Sequence, residues 1–190
     1  ETSIKNIILS GGVGQNIKAC KTLIDKTSLK YLWAGPICGD GSLGIGAAWL
    51  ASKEKNISKK VKGYKTIYLG KSYSDNEVEY AVDKYKLKEK YFTIENPKIK
   101  TIAGWINDGN ICARFSERME FGQRALGNRS IIADPRKWES VERVNKKIKY
   151  RDFWMPFTPS MTFEQANKII VNPKNIYSPF MTMAFDINDD

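Results

Sequence analysis

Residues 6–16 read NIILSGGVGQN, a short apolar run followed by a glycine-rich turn. The apolar run predicts a buried strand, and the residues as far as about Asp25 place apolar side chains at helical spacing. A strand, a glycine turn and a helix in this order are typical of α/β proteins. Backbone N–H groups at such a helix N-terminus can bind an anion, although glycine is also used there for steric reasons alone. The pattern by itself leaves both interpretations open.

Strands and helices continue to alternate along the chain. The sequence predicts helices at about 43–51, from Ser74, from Pro97 to Asp108 and at about 138–149. It predicts further strands at 31–34, 65–69, 91–94, 181–185 and on both sides of residues 118–130. We therefore expect a mixed α/β (α+β) fold without internal repeats. The lysine-rich residues 53–63 are the predicted domain boundary.

The most charged motif is residues 118–130, which read RMEFGQRALGNRS. It combines three arginines with two glycines, an asparagine and a serine: Arg118, Arg124, Arg129, Gly122, Gly127, Asn128 and Ser130. Guanidinium groups bind phosphate or carboxylate oxygens bidentately, and glycines let backbone N–H groups approach the same oxygens. A solvated basic loop is the alternative. The apolar residues on both sides predict strands that hold the arginines in place, which favours an anion-binding site.

The composition narrows the function classes. The formal charge is +10 and histidine is absent from the 190 residues, so the chain should attract anions without an imidazole base or metal ligand. Three widely spaced cysteines argue against a disulfide framework or a zinc site and for a reducing cytoplasm. The longest apolar stretch, 45–51, is too short to span a membrane. The lysine runs lack interleaved aromatic residues and are weak evidence for nucleic acid.

Residues 118–130, followed by ADPR at 133–136, resemble the signature of the O-carbamoyltransferases, the NodU- and TobZ-like enzymes. The resemblance extends over nearly the whole chain and includes residues 68–74, 145–152 and 156–160. Two positions depart from it. Glu117 stands where the family usually has glycine, which would alter the backbone beside Arg118. Met155 stands where many members have arginine, which removes one candidate anion contact.

The resemblance implies a fragment of a two-domain enzyme. Residues 1–60 would be the C-terminal part of a Kae1-like, actin-like ATPase domain with a linker, and residues 61–190 most of a YrdC-like domain. The implied enzyme converts carbamoyl phosphate and ATP to carbamoyl-adenylate and transfers the carbamoyl group to a hydroxyl of a sugar-like or natural-product acceptor. A divalent metal ion, iron or magnesium, would bind in the full-length enzyme. The implied partners are these small molecules and the remainder of the same polypeptide, and neither a membrane nor nucleic acid is expected.

The resemblance also implies roles for particular residues. Catalytic contacts are expected from Arg118, Arg124, Arg129 and Ser130, and substrate binding from Glu120, Asn128, Lys149 and Arg151. Nucleotide binding is expected from Gly11, Gly12, Val13 and Asn16, and metal binding from Asp40. Structural alternatives stay open: a helix cap for Asp40, an ion pair for Glu120, and interaction with a helix dipole for Lys149 and Arg151.

Two other functions fit parts of the sequence. YrdC-like domains resemble double-stranded-RNA binders, and the excess positive charge is compatible with RNA. A catalytically inactive interaction domain is the third possibility. The glycine turn at 11–16 and Asp40 have no role in RNA recognition, which favours the transferase.

Overall fold

The computed structural model describes residues 3–57 and 66–188. Its strands are β1 (Asn6–Leu9), β2 (Tyr31–Ala34), β3 (Cys112–Phe115), β4 (Arg129–Ile132), β5 (Ile170–Val171) and β6 (Asp186–Ile187). Its α-helices are α1 (Ile17–Lys26), α2 (Leu43–Glu54), α3 (Asp75–Lys84), α4 (Leu87–Lys90), α5 (Ile99–Asn107), α6 (Trp138–Arg143) and α7 (Phe163–Ile169). This mixture of helices and strands confirms the predicted α/β class.

Residue contacts divide the chain into two units. The first comprises Glu1–Ile67, Phe121–Arg124 and Ser160–Asp190, and the second comprises Tyr68–Glu120 and Ala125–Pro159. Two later segments, 121–124 and 160–190, thus group with the N-terminal part of the chain. A single boundary near residue 60 does not describe this division. That boundary lies within 58–65, outside the described residues. The division into a Kae1-like part and a YrdC-like part stays a prediction.

The first unit is built on β1 and β2, which pair in parallel with Ile8 opposite Trp33. Parallel neighbours need a crossover connection, and α1 provides it. The apolar face of α1 packs with β2 in a core formed by Cys20, Ile24, Leu32, Ala34, Cys38 and Ile176. Complete burial of an aliphatic side chain such as Leu32 contributes roughly 1.5–3 kcal/mol.

Both ends of α1 are capped. At its start the side chain of Asn16 accepts a hydrogen bond from the Ala19 N–H at 3.0 Å. At its end the ammonium group of Lys174 donates to the backbone carbonyl of Ile24, in the last turn of the helix, and to those of Thr27 at 3.1 Å and Leu29 at 3.0 Å. The bonds to the Ala19 N–H and the Ile24 carbonyl satisfy groups that a helix leaves unpaired, and the Asn16 cap joins α1 to the glycine turn before it.

The second unit contains the antiparallel pair β3–β4, in which Arg114 lies opposite Ser130 and Phe115 opposite Arg129. These strands flank the arginine-rich motif, as the sequence predicts. The predicted capping box is also confirmed, because Ser74 accepts from the Glu77 N–H and the Glu77 carboxylate accepts from the Ser74 N–H.

The helix predicted at 138–149 changes type half-way. It is an α-helix as far as Arg143, and Val144–Lys149 forms a π-helix. Tyr150 ends it with a left-handed φ of 49°. Within this π-helix Asn145 is completely buried.

Strands predicted at 91–94 and 181–185 are wrong. Both segments are short and partly apolar, but neither pairs with a neighbouring strand in the described chain. Phe92 is 90% exposed, so its apolar character does not mark a buried position. The described part of the strand predicted at 65–69 is likewise irregular. Beyond it the Gly70 N–H donates a hydrogen bond to the Met119 carbonyl at 2.9 Å. Among the described helices, none is long and apolar enough to cross a membrane.

Candidate functional site

The first unit places a glycine turn at the carboxyl ends of its two parallel strands. The turn at 11–16 follows β1, and residues 35–40 follow β2. Ligands of open α/β sheets bind at this edge. Gly11 has a φ of 89°, and a Cβ placed on Gly11 or Gly12 would meet no atom within 4 Å. The backbone of this turn is therefore open to a ligand, as the predicted nucleotide site requires.

Close backbone packing holds three segments of the first unit together. The Gly11 N–H donates to the Cys38 carbonyl at 2.5 Å. A Cβ on Gly39 would lie 2.6 Å from Gln15 Nε2, and one on Gly122, whose φ is 144°, would lie 2.8 Å from the Pro36 carbonyl oxygen. Glycine is needed at Gly122, where a Cβ would strike the Pro36 backbone at a positive φ. At Gly39 the atom in the way is the end of the flexible Gln15 side chain, which can move aside. The signature segment at 121–124 therefore lies against both loops.

Arg124 reaches this loop cluster with most of its donors unused. Its Nη2 donates to the Gln15 carbonyl at 3.4 Å, and its guanidinium makes no other hydrogen bond or ion pair in residues 3–57 and 66–188. Burial raises the pKa of the Cys38 thiol, and the positive charge of Arg124 opposes that rise. The half-buried guanidinium is thus close enough to act on these loops electrostatically.

The other predicted residues of this region have mixed surroundings. Val13 is exposed, and the side-chain oxygen of Asn16 is occupied as the cap of α1. Asp40 is exposed and opens a short helical turn, but Gly39 is the capping residue and no side-chain cap bond forms. The cap interpretation of Asp40 is therefore wrong. Within the described residues, no three histidine, cysteine, aspartate or glutamate side chains are grouped to hold a metal ion.

In the second unit, the arginine-rich loop folds around the carboxylate of Glu120. Glu120 is 6% exposed, and its Oε1 accepts backbone N–H groups from Leu126 at 2.8 Å, Asn128 at 2.7 Å and Arg129 at 3.2 Å. Burial raises the pKa of Glu120, but hydrogen bonds from its own N–H and from these three outweigh it, so the pKa is lowered. The ionised carboxylate orders the loop through these backbone hydrogen bonds, and not through an ion pair.

Arg118 and Arg129 are engaged by backbone carbonyls. Arg118 donates from Nε to Gly70 and from Nη2 to Leu69, both at 2.9 Å. Arg129 donates from Nη1 to Ser116 at 2.5 Å and from Nη2 to Glu117 at 3.1 Å. Its guanidinium carbon also lies 3.6 Å from the centroid of the Phe115 ring. These contacts tie the ends of the loop to neighbouring segments.

The hydrogen-bonding groups of Asn128 and Ser130 serve the same loop. Asn128 is buried, and its Nδ2 donates to the Arg118 carbonyl at 2.9 Å. The hydroxyl oxygen of Ser130 accepts the Gly127 N–H at 2.9 Å. The Ser130 hydroxyl hydrogen has no acceptor in the described part of the chain, which leaves it available to an incoming oxygen.

Lys149 and Arg151 lie at the end of the π-helix. Lys149 is exposed and forms no ion pair within the described residues. Arg151 donates from Nε to Asn145 Oδ1 at 2.6 Å and from Nη2 to the Pro156 carbonyl at 3.2 Å, and it stacks on Phe157 at 4.4 Å. Its orientation is therefore fixed.

Two of these contacts involve residues to which the sequence assigned no role. Gln15 lies in the glycine-rich turn at 6–16, and Asn145 lies in the stretch 145–152 that carries part of the family resemblance. Nothing in either stretch marks Asn145 as buried or Gln15 as a partner of Arg124.

Comparison with known proteins gives the same assignment at both ends of the chain. Residues 1–49 match the family described as carbamoyltransferase N-terminus, and residues 103–190 match the one described as carbamoyltransferase C-terminus. The chain belongs to the carbamoyltransferase family. The predicted family is thereby confirmed.

Relatives align over nearly all of the chain. The uncharacterized protein MJ1051 of Methanocaldococcus jannaschii is 37% identical over 194 residues, which cover 100% of this chain and 36% of that protein. The uncharacterized protein sll1178 of Synechocystis is 31% identical, covering 100% of this chain and 31% of its own length. Nodulation protein NolNO of Sinorhizobium fredii is 32% identical, with 99% and 28% covered. The chain spans about a third of the length of these curated relatives.

Proposed function

We propose that the full-length protein is an O-carbamoyltransferase that takes carbamoyl phosphate as donor, consumes ATP and modifies a hydroxyl group. One observation carries this proposal. Arg124, a residue of the family signature, lies at the carboxyl edge of two parallel strands beside an open glycine turn, and most of its donors have no partner among residues 3–57 and 66–188. This is where an α/β fold binds a phosphorylated ligand, and the free donors of Arg124 suit phosphate oxygens.

The proposed chemistry needs charge stabilisation more than covalent participation. Water hydrolyses carbamoyl phosphate to carbamate and phosphate, and a carbamate oxygen then attacks the α-phosphorus of ATP while pyrophosphate leaves. The acceptor hydroxyl then attacks the carbonyl carbon of carbamoyl-adenylate, loses its proton to solvent or a base, and AMP leaves. Cationic and N–H donors that are fixed before reaction stabilise the charge that moves in such steps.

The residues of this chain would divide these tasks. Arg124, Lys149 and Arg151 would bind phosphate oxygens, and Ser130 would donate its hydroxyl hydrogen to the carbamoyl group or a phosphate. Glu120, Arg118 and Arg129 would hold the loop in shape. Asn128 would do so as well, through its buried amide.

ATP and a divalent metal ion, iron or magnesium, belong to the same proposal. The open backbone at Gly11 and Gly12 would lie against the nucleoside, with Val13 and Asn16 beside it. The exposed carboxylate of Asp40 is a suitable hard ligand, but the described residues supply no complete ligand set, so other ligands would come from the rest of the polypeptide. A bound divalent ion would neutralise charge on the nucleotide phosphates.

The test is turnover by the full-length protein. Carbamoyl phosphate, ATP and a panel of sugar hydroxyl acceptors are incubated with the protein, and carbamoylated product and AMP are measured by mass spectrometry. We expect both products with the full-length protein and none with the 190-residue chain alone. Binding of a short RNA duplex in preference to carbamoyl phosphate and nucleotide would contradict the proposal. Equal turnover by the 190-residue chain would instead show that the acceptor and metal sites lie within these residues.

A further inference from the structure

A second feature of the second unit concerns Asn145 and the cavity beside it. An open cavity of about 460 Å³ is lined by Lys146, Tyr150, Arg151, Asp152 and Met155. Lys146 and Arg151 form no ion pair in residues 3–57 and 66–188, so with Asp152 the lining keeps a net positive charge. Such a cavity attracts an anion.

Asn145 is the centre of the hydrogen bonds behind this cavity. Its side chain is completely buried, and it does not line the cavity. Its Nδ2 donates to the carbonyls of Phe153 and Met155, both at 3.1 Å, and its Oδ1 accepts from Arg151 Nε at 2.6 Å. Its backbone carbonyl accepts the Arg151 N–H at 3.1 Å. One amide therefore holds both the loop and the arginine.

The backbone around Asn145 is unusual in a way that an anion site would explain. π-helical turns are rare in proteins, and those that occur are often found at functional sites. Here the π-helix Val144–Lys149 is followed at once by Tyr150 in a left-handed conformation. Such conformations persist where the surroundings enforce them, and they cluster at ligand sites. The contacts of Asn145 are what enforce this one.

Protein contacts hold one edge and one face of the Arg151 guanidinium group. Asn145 takes its Nε, the Pro156 carbonyl takes Nη2, and Phe157 supports the face of the guanidinium. Its Nη1 makes no hydrogen bond in the described part of the chain. A guanidinium fixed in this way keeps donors for a ligand and loses little conformational entropy on binding.

From these contacts we propose that Asn145 is the positioning residue that aims Arg151 at a phosphate-bearing anion in the cavity. The inference rests on the proposed function, which makes Arg151 a phosphate-binding residue and carbamoyl phosphate its ligand. Asn145 does not touch the ligand; it acts through Arg151. Its replacement should therefore matter only while Arg151 is present.

A double-mutant cycle in the full-length protein tests this statement. Inorganic phosphate is the binding probe, measured by calorimetry, and the kcat and KM for carbamoyl phosphate are measured in parallel. Asn145→Ala and Arg151→Ala should each weaken phosphate binding by about ten-fold, and raise the KM more than they lower kcat. The double variant should bind phosphate no more weakly than Arg151→Ala alone. Losses that add in the double variant would show that Asn145 acts independently of Arg151 and would overturn the proposal.

Two further variants separate positioning from folding. Asn145→Asp keeps an acceptor for Arg151 but loses the donor to the loop, so it should be less stable yet bind phosphate within about three-fold of the natural protein. Asn172→Ala is the matched control, because Asn172 bridges Ile176 in the first unit with both atoms of its amide and contacts no cation. If Asn172→Ala weakens phosphate binding as much as Asn145→Ala, the proposal fails. If Asn145 and Arg151 are coupled in phosphate binding but the full-length protein transfers no carbamoyl group, only the proposed function is refuted.

Discussion

The arginines of the signature occupy two kinds of environment. In the second unit, Arg118 and Arg129 give their N–H groups to backbone carbonyls, and Arg129 also stacks on Phe115. In the first unit, Arg124 makes a single hydrogen bond to the described part of the chain, 3.4 Å long and to Gln15. A cation whose donors are used by the backbone stabilises the fold, whereas one with unused donors is available to a ligand. Arginine density in a sequence does not distinguish these two roles.

The largest expected effect comes from removing the group that orders the backbone-bound loop. Glu120→Ala leaves the N–H groups of Leu126, Asn128 and Arg129 without their acceptor, so we expect a loss of roughly 3 kcal/mol or more in the free energy of unfolding. Denaturant unfolding measures the loss, and amide hydrogen exchange at Leu126 and Asn128 localises it. Glu117→Gln is the control, since that side chain is exposed in the same loop and should change stability little. Unchanged exchange at the two amides would contradict the assignment of Glu120.

A paired substitution tests the comparison directly. Arg129→Lys loses several charge-assisted hydrogen bonds and the contact with Phe115, so we expect it to cost roughly 2 kcal/mol in unfolding free energy. Arg124→Lys should cost about 0.5 kcal/mol or less, because it removes one long hydrogen bond.

Ligand binding should show the opposite order for the same pair. Arg124→Lys should weaken nucleotide or phosphate binding in the full-length protein, measured by calorimetry, while Arg129→Lys keeps it at temperatures where it is folded. The two-environment interpretation fails if Arg124→Lys proves the more destabilising of the two or if it binds both ligands normally.

A smaller effect is expected at Glu117, which stands where the family usually has glycine. Its φ is 46°, a left-handed conformation that costs a residue with a Cβ roughly 1 kcal/mol. Glu117→Gly should therefore stabilise the loop by up to about 1 kcal/mol, seen as a higher denaturation midpoint. Glu117→Ala, which keeps the Cβ, is the control and should give no gain. A destabilised glycine variant would mean that the backbone of this loop is not strained.

The smallest effect on the free energy of unfolding is expected only at acidic pH. It concerns a third arginine environment, that of Arg136, which is paired with the buried carboxylate of Asp134. Arg136 donates to Asp134 from Nε at 2.9 Å and from Nη2 at 2.8 Å. These hydrogen bonds, with that from the Arg136 N–H, lower the pKa of Asp134 to about 2. The pair's contribution is therefore complete above the ordinary aspartate pKa of about 3.9 and is lost as the pH falls through about 2.

The pH dependence of unfolding checks this assignment. Between about pH 4 and pH 2 the free energy of unfolding should fall less steeply in Asp134→Asn than in the natural chain. Asp152→Asn, at an exposed aspartate without an ion pair in the described chain, is the control and should keep the natural slope. Identical slopes for Asp134→Asn and the natural chain would show that the carboxylate is not selectively stabilised.

The local elements of the functional regions were predictable because their signals are local. The apolar run at 6–9, the Asn16 start of α1 and the capping box at Ser74 each depend on residues a few positions apart. The strands on both sides of the arginine motif follow from alternation alone. The family followed from the length and specificity of the motifs, and the comparisons confirm it.

The strands predicted at 91–94 and 181–185 show where local signals fail. A strand exists only if another strand pairs with it, and the sequence of one segment does not contain that information. The π-turn at Val144–Lys149 is a similar case, because it depends on a buried hydrogen-bond network that extends to Met155.

The sequence by itself determined the α/β class, the family and the presence of cationic loops, since composition, periodicity and motif spacing are properties of neighbouring residues. Only the tertiary structure decided that Arg118 and Arg129 each give several N–H groups to backbone carbonyls, whereas Arg124 makes one long hydrogen bond, to Gln15, within the described residues. It also decided that Glu120 and Asn145 are buried centres of their loops. Which partner satisfies a guanidinium or a carboxylate depends on groups that folding brings together, and the chain order does not record those distances.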